Sequence, residues 1–438
     1  MTEVRTASLV LIGLLLLGYV LGDRGFAHLS ISSVYIGEIV LGLSLLLYLL
    51  RPQFKVWLMS RAIWALAAFD IWCLLCTAPF VEGYQVDALR DSVVYAYSAF
   101  AFLIVAAIAR PELLVNALQV YGHAITFSVI VMPVLLYVTP TTHVRHEDLP
   151  LIFVKAGDAA VHLAGAATFR LIGLHAAVFP VRLPWQRVVD AMFWTSWAIS
   201  VLWTMAGSRG AMLAMGAAMV AVTLFGFIRR QAVGFMAVLA VVFTLLDLLS
   251  IGIGQERRDI SVAQVVGNVS SILALDDSMT GDDELGSTLR WRLRWWQDII
   301  DYTVFGDNFW TGHGFGVNLA DADRYQADPE GQLRSPHNAH LTILARTGVP
   351  GLVLWLAFLG VFGYGLIATA RRARREGLPN WHRLHVWIFA YWMAALVNAS
   401  FDVYLEGPQG GIWFWSITGF GIAALALAPA PQRTTEPA

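Results

Sequence analysis

Between residues 287 and 341 the chain gathers Ser287, Arg290, Arg292 and Trp296, then Gly312, Gly314 and Gly316, then His337-Asn338. Guanidiniums supply fixed positive charge in planar donor forks, glycines let backbone approach a ligand, and an imidazole titrates near neutrality. Such groups suit chemistry on an anionic substrate. Arg209, in Gly207-Ser208-Arg209-Gly210, stands at a break between two apolar runs, and its fork also matches phosphate oxygens.

The elements that position these residues are apolar helices. Hydrophobic residues make up 58% of the chain and charged ones only 14%, so the polar stretch interrupts a chain built for lipid. Apolar runs near the roughly 20 residues needed to cross a hydrocarbon core fall at 7–22, 33–50, 62–79, 92–109, 113–138, 159–180, 188–206, 210–228, 231–251, 341–366, 384–403 and 411–428. The fold class expected is an all-α polytopic integral membrane protein with about 12 transmembrane helices and one long loop containing helices. It divides into an N-terminal bundle of about nine helices over 1–251, the long loop over 252–336, and a C-terminal region of about three helices over 337–438 ending in a short tail. Arg5 precedes the first run and no small-residue cleavage site follows, so that run reads as a retained anchor.

Orientation follows from the short loops, because Lys and Arg are retained on the cytoplasmic side. One alternate set carries Arg51, Lys55, Arg61, Arg110, Arg182, Arg187, Arg229, Arg230 and a cluster from Arg371 to Arg383. The other is mixed or acidic, with Asp23, Glu82, Asp87, Asp91, Glu147, Asp148 and Glu406. Both termini are therefore expected inside and the long loop outside. Its own arginines do not oppose this, since long loops translocate largely regardless of charge.

Several functions are excluded or disfavoured. The net charge of -2 gives no basis for nucleic-acid binding. The two cysteines, Cys73 and Cys76, lie three apart inside an apolar run and read as packing. Asp276, Ser278, Thr280 and Gly281 fall at calcium-loop positions, but Ser287 stands where a bidentate Glu is needed, so no metal is expected. Gly312-x-Gly314-x-Gly316 lacks the spacing of a dinucleotide fingerprint and is simplest as a tight turn. Arg290 and Arg294 share one face of a helix from Thr288, with Trp291 and Trp295 on a neighbouring face, which suggests a helix lying against the membrane surface. His162, Arg170, Glu38 and Asp70 are costly in lipid and should face the bundle interior, either paired or along a substrate path.

The ordered set of motifs resembles the O-antigen ligase and O-antigen polymerase superfamily of bacterial envelope glycosyltransferases. The resemblance rests on Ser208-Arg209-Gly210 after an apolar helix, Arg292 to Trp296, the Gly312 to Gly316 run, and His337-Asn338-Ala339-His340-Leu341 leading to Gly348. Arg90-Asp91 and Phe401-Asp402-Val403 add to it.

The resemblance implies a GT-C-like enzyme of the bacterial inner membrane with its active site on the periplasmic side and no cofactor. Its donor would be an undecaprenyl-diphosphate-linked glycan, its acceptor lipid A core or a second glycan, and membrane lipids its surroundings. Arg209 and Arg292 would neutralise the leaving diphosphate and His337 would take the acceptor proton, in an inverting, metal-independent displacement. Arg290, Arg294, Ser208, Asn338, His340, Gly314 and Gly316 are the expected substrate-binding residues. Spacing favours Arg292 for the second arginine role, with Arg290 next, and His340 is close enough to His337 to take its place. O-antigen ligation is the leading expectation, polymerisation uses the same donor chemistry, and a transporter or flippase is the rival of another class. That rival usually has repeated halves with sites at the midplane. Here the polar residues gather on one face.

Overall fold

The structure is a computed structural model that describes residues 2–32, 34–50, 60–139, 145–146, 149–150, 152–181, 184–227, 253–255, 258–260 and 283–430. Among these residues the helices are α1 (Thr2–Ala27), α2 (Ile36–Leu49), α3 (Arg61–Thr77), α4 (Val81–Tyr84), α5 (Val86–Ala96), α6 (Ser98–Ala107), α7 (Pro111–Val138) and α8 (Ala156–Leu171). They continue with α9 (Leu174–Val178), α10 (Gln186–Gly207), α11 (Arg209–Leu224), α12 (Asp283–Val304), α13 (Leu319–Ala322), α14 (Ala339–Arg375), α15 (Pro379–Ala399) and α16 (Pro408–Leu427). Sheet among the described residues is confined to three short antiparallel pairs.

Among the described residues six helical stretches are long and apolar enough to cross a membrane: Ala7–Ala27, Arg61–Tyr84, Pro111–Val138, Gln186–Gly207, Ala339–Arg375 and Pro408–Leu427. The pair α5 and α6, bent by 45° at Tyr97, makes up to seven. That is the pattern of a polytopic all-α membrane chain, and among the described residues not all of the twelve apolar runs form full spans. The reasons are local. Helices α2 and α11 have 14 and 16 residues, and α8 ends in a left-handed turn at Gly173 (φ 75). The run at 231–251, the acidic stretch from Asp276 and the tail beyond 430 lie outside the described residues.

Helix α8 is the centre of the bundle. Every residue from Gly157 to Phe169 is buried, which explains its small-residue sequence: Ala and Gly let neighbours approach closely, as is usual between membrane helices. A Cβ at Gly165 would lie only 2.5 Å from the Tyr391 ring of α15. Elsewhere the core is aromatic, with Trp355, Phe358 and Trp415 joining α14 to α16. Helix α14 kinks at Gly348 (φ 68), where a Cβ would meet the Phe309 carbonyl at 2.4 Å. The kink seats the glycine-run loop, and Val349 N donates to Phe309 O at 2.8 Å.

The costly polar residues pair internally. Arg170 bonds Asp190 and, at 3.1 Å, Thr126. His162 Nδ1 meets Tyr391 Oη at 2.8 Å, Tyr97 donates to Glu38 at 2.7 Å, and Ser98 donates to Asp70 at 2.7 Å. Of the two uses open to them, pairing is the one seen. Helix α12 docks on protein through its tryptophans: Trp295 is fully buried and stacks on Tyr325 at 5.4 Å.

Candidate active site

One end of the bundle collects the starts of α8, α11 and α14 and the end of α15. Helix α14 begins because Asn338 is an N-cap in extended backbone, its Oδ1 accepting from His340 N (3.0 Å) and Leu341 N (3.2 Å). His337, immediately before the cap, is held at φ 56, a left-handed conformation that is uncommon outside glycine and costs roughly 1–3 kcal/mol. The preceding carbonyl, Pro336 O, accepts from Trp296 Nε1 at 2.9 Å. The backbone of His337 is thus held on both sides, and its side chain keeps 27% exposure.

His337 Nδ1 lies 3.9 Å from Asp402 Oδ1. The other oxygen, Oδ2, pairs with Lys155 Nζ at 2.5 Å, and Val403 N donates to Oδ1 at 2.8 Å. Burial works against charge on Asp402, yet the His337 imidazole and the Lys155 ammonium outweigh it and hold the carboxyl well below the usual carboxylate range. The Asp402 carboxylate thus faces the Nδ1 edge of the ring, and Nε2 lies on the opposite edge.

Two guanidiniums reach the same end. Ser208, in extended backbone, separates α10 from α11 and caps the latter, its Oγ accepting from Ala211 N at 3.3 Å. Arg209 follows as the first residue of α11. Packing of Gly210 places this turn against the end of α15, since a Cβ there would lie 3.6 Å from Phe401 Cβ. Arg292 Nη1 donates to Phe401 O at 3.1 Å, while its Nε is buried with no acceptor among the described residues. The Arg292 guanidinium is held below its ordinary value by burial, and the Arg209 charge pushes the same way against the pull of Asp402. A buried donor left unsatisfied costs about 1–3 kcal/mol, which an anionic oxygen would relieve.

The other expected residues have different surroundings. His340 Nδ1 accepts from Trp355 Nε1 at 2.9 Å and its Nε2 meets Ser400 Oγ at 3.1 Å. With both ring nitrogens engaged, it is poorly placed to replace His337 as base. Asn338 spends its side-chain oxygen on the cap. Gly314 and Gly316 have positive φ of 75° and 105°, and a Cβ at either would strike Phe80 at 2.1 Å or Tyr84 at 2.5 Å. Their backbone dock is completed by Asp91, which accepts from Gly316 N (3.1 Å) and from Arg334 Nη2 (2.9 Å). Arg290 and Arg294 stand on the far side of α12 from Arg292. Ser287 is described in backbone only.

Lys155 was not singled out from sequence. It is a lone lysine between apolar runs, and only the folded position of Asp402 gives it a role. Asp402 itself was visible solely as part of Phe401-Asp402-Val403.

Fold and site together define a multi-pass α-helical membrane protein with a cationic site and a histidine–aspartate pair at one end of its bundle. Residues 194–356 match the family model described as O-antigen ligase, a stretch that runs from α10 into α14 and contains Arg209, Arg292 and His337. That match, over rather more than a third of the chain, supports a relation of this stretch to the O-antigen ligase and polymerase superfamily. At family level that domain implies a glycosyltransferase-type enzyme of polysaccharide biosynthesis. No curated protein matches the chain.

Proposed function

We propose that the protein transfers a glycan from an undecaprenyl-diphosphate carrier to an acceptor hydroxyl at the periplasmic face of the inner membrane. The observation that carries this reading is the meeting of Arg209, Arg292 and the His337–Asp402 pair at one bundle end. Arg209 and Arg292 hold the diphosphate and take up its charge as the anomeric C–O bond breaks; preorganised donors of this kind usually supply the largest single catalytic term. His337 accepts the acceptor's proton through Nε2 while Asp402 holds its Nδ1 side. One in-line attack inverts the anomeric centre. Binding at a bundle end suits a carrier whose tail stays in hydrocarbon while its diphosphate meets the guanidiniums.

Ligation to lipid A core is the form proposed, with polymerisation as the competing form. The test is transfer in vitro from a purified undecaprenyl-diphosphate-linked glycan, with EDTA present, to lipid A core and to a second lipid-linked glycan offered together. Glycosylated lipid A core supports ligation, lengthened lipid-linked glycan supports polymerisation, and retained anomeric configuration in either product overturns the single displacement. No transfer to either acceptor overturns the reading.

A further inference from the structure

Helix α12 carries a second cationic site on the face turned away from Arg292. Arg290 and Arg294 lie one turn apart there, and both are exposed. With Arg324, held in left-handed backbone (φ 65) just beyond α13, they line an open cleft of about 490 Å³. Among the described residues none of these three guanidiniums is in an ion pair. Two aromatic walls complete the cleft, Trp291 and Tyr325, with ring centroids 5.9 Å apart. Their placement is firm because Tyr325 stacks on the buried Trp295.

Two carboxylates stand among the arginines. Asp298 Oδ2 accepts from Tyr325 Oη at 2.6 Å, and Asp323 Oδ2 accepts from Trp295 Nε1 at 2.7 Å. Each is oriented by an aromatic donor and not by an arginine. A bare phosphate would be repelled by these carboxylates, whereas a sugar bearing an acid group brings both an anion for the forks and hydroxyl donors for the carboxylates. Aromatic walls suit the apolar faces of a sugar ring.

The geometry points to a subsite for an anionic saccharide in this cleft, formed by Arg290, Arg294, Arg324, Trp291, Tyr325 and Asp298. It rests on the glycan-transfer reading and deepens it. The cleft is separated from Arg292 by the body of a helix about 10–12 Å across, so it meets the glycan at sugars beyond the one on the diphosphate. The preferred donor is accordingly a glycan with a uronic or otherwise acidic sugar in its repeat.

The test is calorimetric titration of the purified full-length protein with trigalacturonate, maltotriose and glycerol 1-phosphate. Trigalacturonate should bind saturably and more tightly than either other probe. The double variant R290Q/R294Q should weaken it by about tenfold with an unchanged Tm, and R324Q, on a different element, should act in the same direction. Equal affinity in wild type and both variants overturns the subsite, as does tighter binding of glycerol 1-phosphate, which would mark a lipid-headgroup site. Wild-type transfer from the lipid-linked donor is measured alongside. Absent transfer removes the catalytic reading and the subsite with it, whereas intact transfer without trigalacturonate binding removes the subsite alone.

Discussion

His337 Nδ1 stands 3.9 Å from Asp402 Oδ1, while the second oxygen of the same carboxylate holds Lys155 at 2.5 Å. On the proposed mechanism, a carboxylate so placed stabilises the imidazolium formed as a proton is taken up. D402N keeps the shape and removes the charge. Its kcat should fall by roughly 10²- to 10⁴-fold, the usual worth of general-base catalysis, with donor KM little changed. Steady-state transfer kinetics decide the point: near-normal kcat in D402N would leave His337 without its orienting partner and remove the pair from the mechanism.

Asp402 also predicts an acid response. Its carboxyl is held below its ordinary value of about 3.9 despite burial, chiefly by His337 and Lys155. The native state therefore binds fewer protons than the unfolded chain in the acid range, so the stabilisation is complete above about pH 5 and is lost as pH falls through the folded value. D402N has no such ionisation. Between about pH 5 and pH 3 the wild-type Tm should drop more steeply than that of D402N, and parallel melting curves would show that the charge adds nothing to stability.

Arg292 is the clearest case for a charge-assisted donor, since one of its nitrogens holds Phe401 O and another is buried without an acceptor among the described residues. R292K supplies a point charge but no fork. Loss of a preorganised donor typically costs about 10²- to 10³-fold in kcat, and R292K should approach that loss in the transfer assay. Full activity in R292K would assign the guanidinium to holding α12 on α15. R209K should fall similarly, because the two charges act on one another and on the proposed reading both hold the diphosphate.

Much of this was legible in sequence, but not evenly. Apolar runs marked the helices well, yet hydropathy cannot separate a helix that crosses lipid from one buried by other helices. Helix α8, buried along nearly its whole length, reads like a span and is too short to be a simple one. His337, Arg209 and Arg292 were visible because their order along the chain and the intervening loop carry information. His340 looked equivalent to His337 since the difference lies in Trp355 and Ser400, distant in sequence. The glycine run was ambiguous for another reason. Positive φ and a missing Cβ serve close approach of backbone to a ligand and to a neighbouring helix equally well.

That ambiguity can be tested at Gly314, where φ is 75° and a Cβ would sit 2.1 Å from the Phe80 ring. G314A should cost about 1–3 kcal/mol through overpacking, in addition to backbone strain. Activity should fall only to the extent that the folded fraction falls, whereas a ligand contact would lower activity at constant Tm. Melting and transfer measured on the same preparation distinguish the two.

Asp91 gives the strongest prediction for the loop's anchorage. Its carboxylate accepts from Arg334 Nε at 3.0 Å and from Gly316 N at 3.1 Å, and it lies 3.0 Å from Arg346 Nη1, whose side chain is only 2% exposed. Burial alone would disfavour the Arg334 charge, but Asp91 overcomes it and raises that guanidinium above its ordinary value. D91N strips the counter-charge from two arginines at once, and breaking a buried pair from one side usually costs about 3–5 kcal/mol. The loss should appear as a lowered Tm and as faster amide exchange at Gly314 and Gly316, ahead of exchange in α14. Unchanged protection of the loop in D91N would mean that the kink at Gly348 and the backbone bonds to Ala345 and Arg346 hold it without the charges.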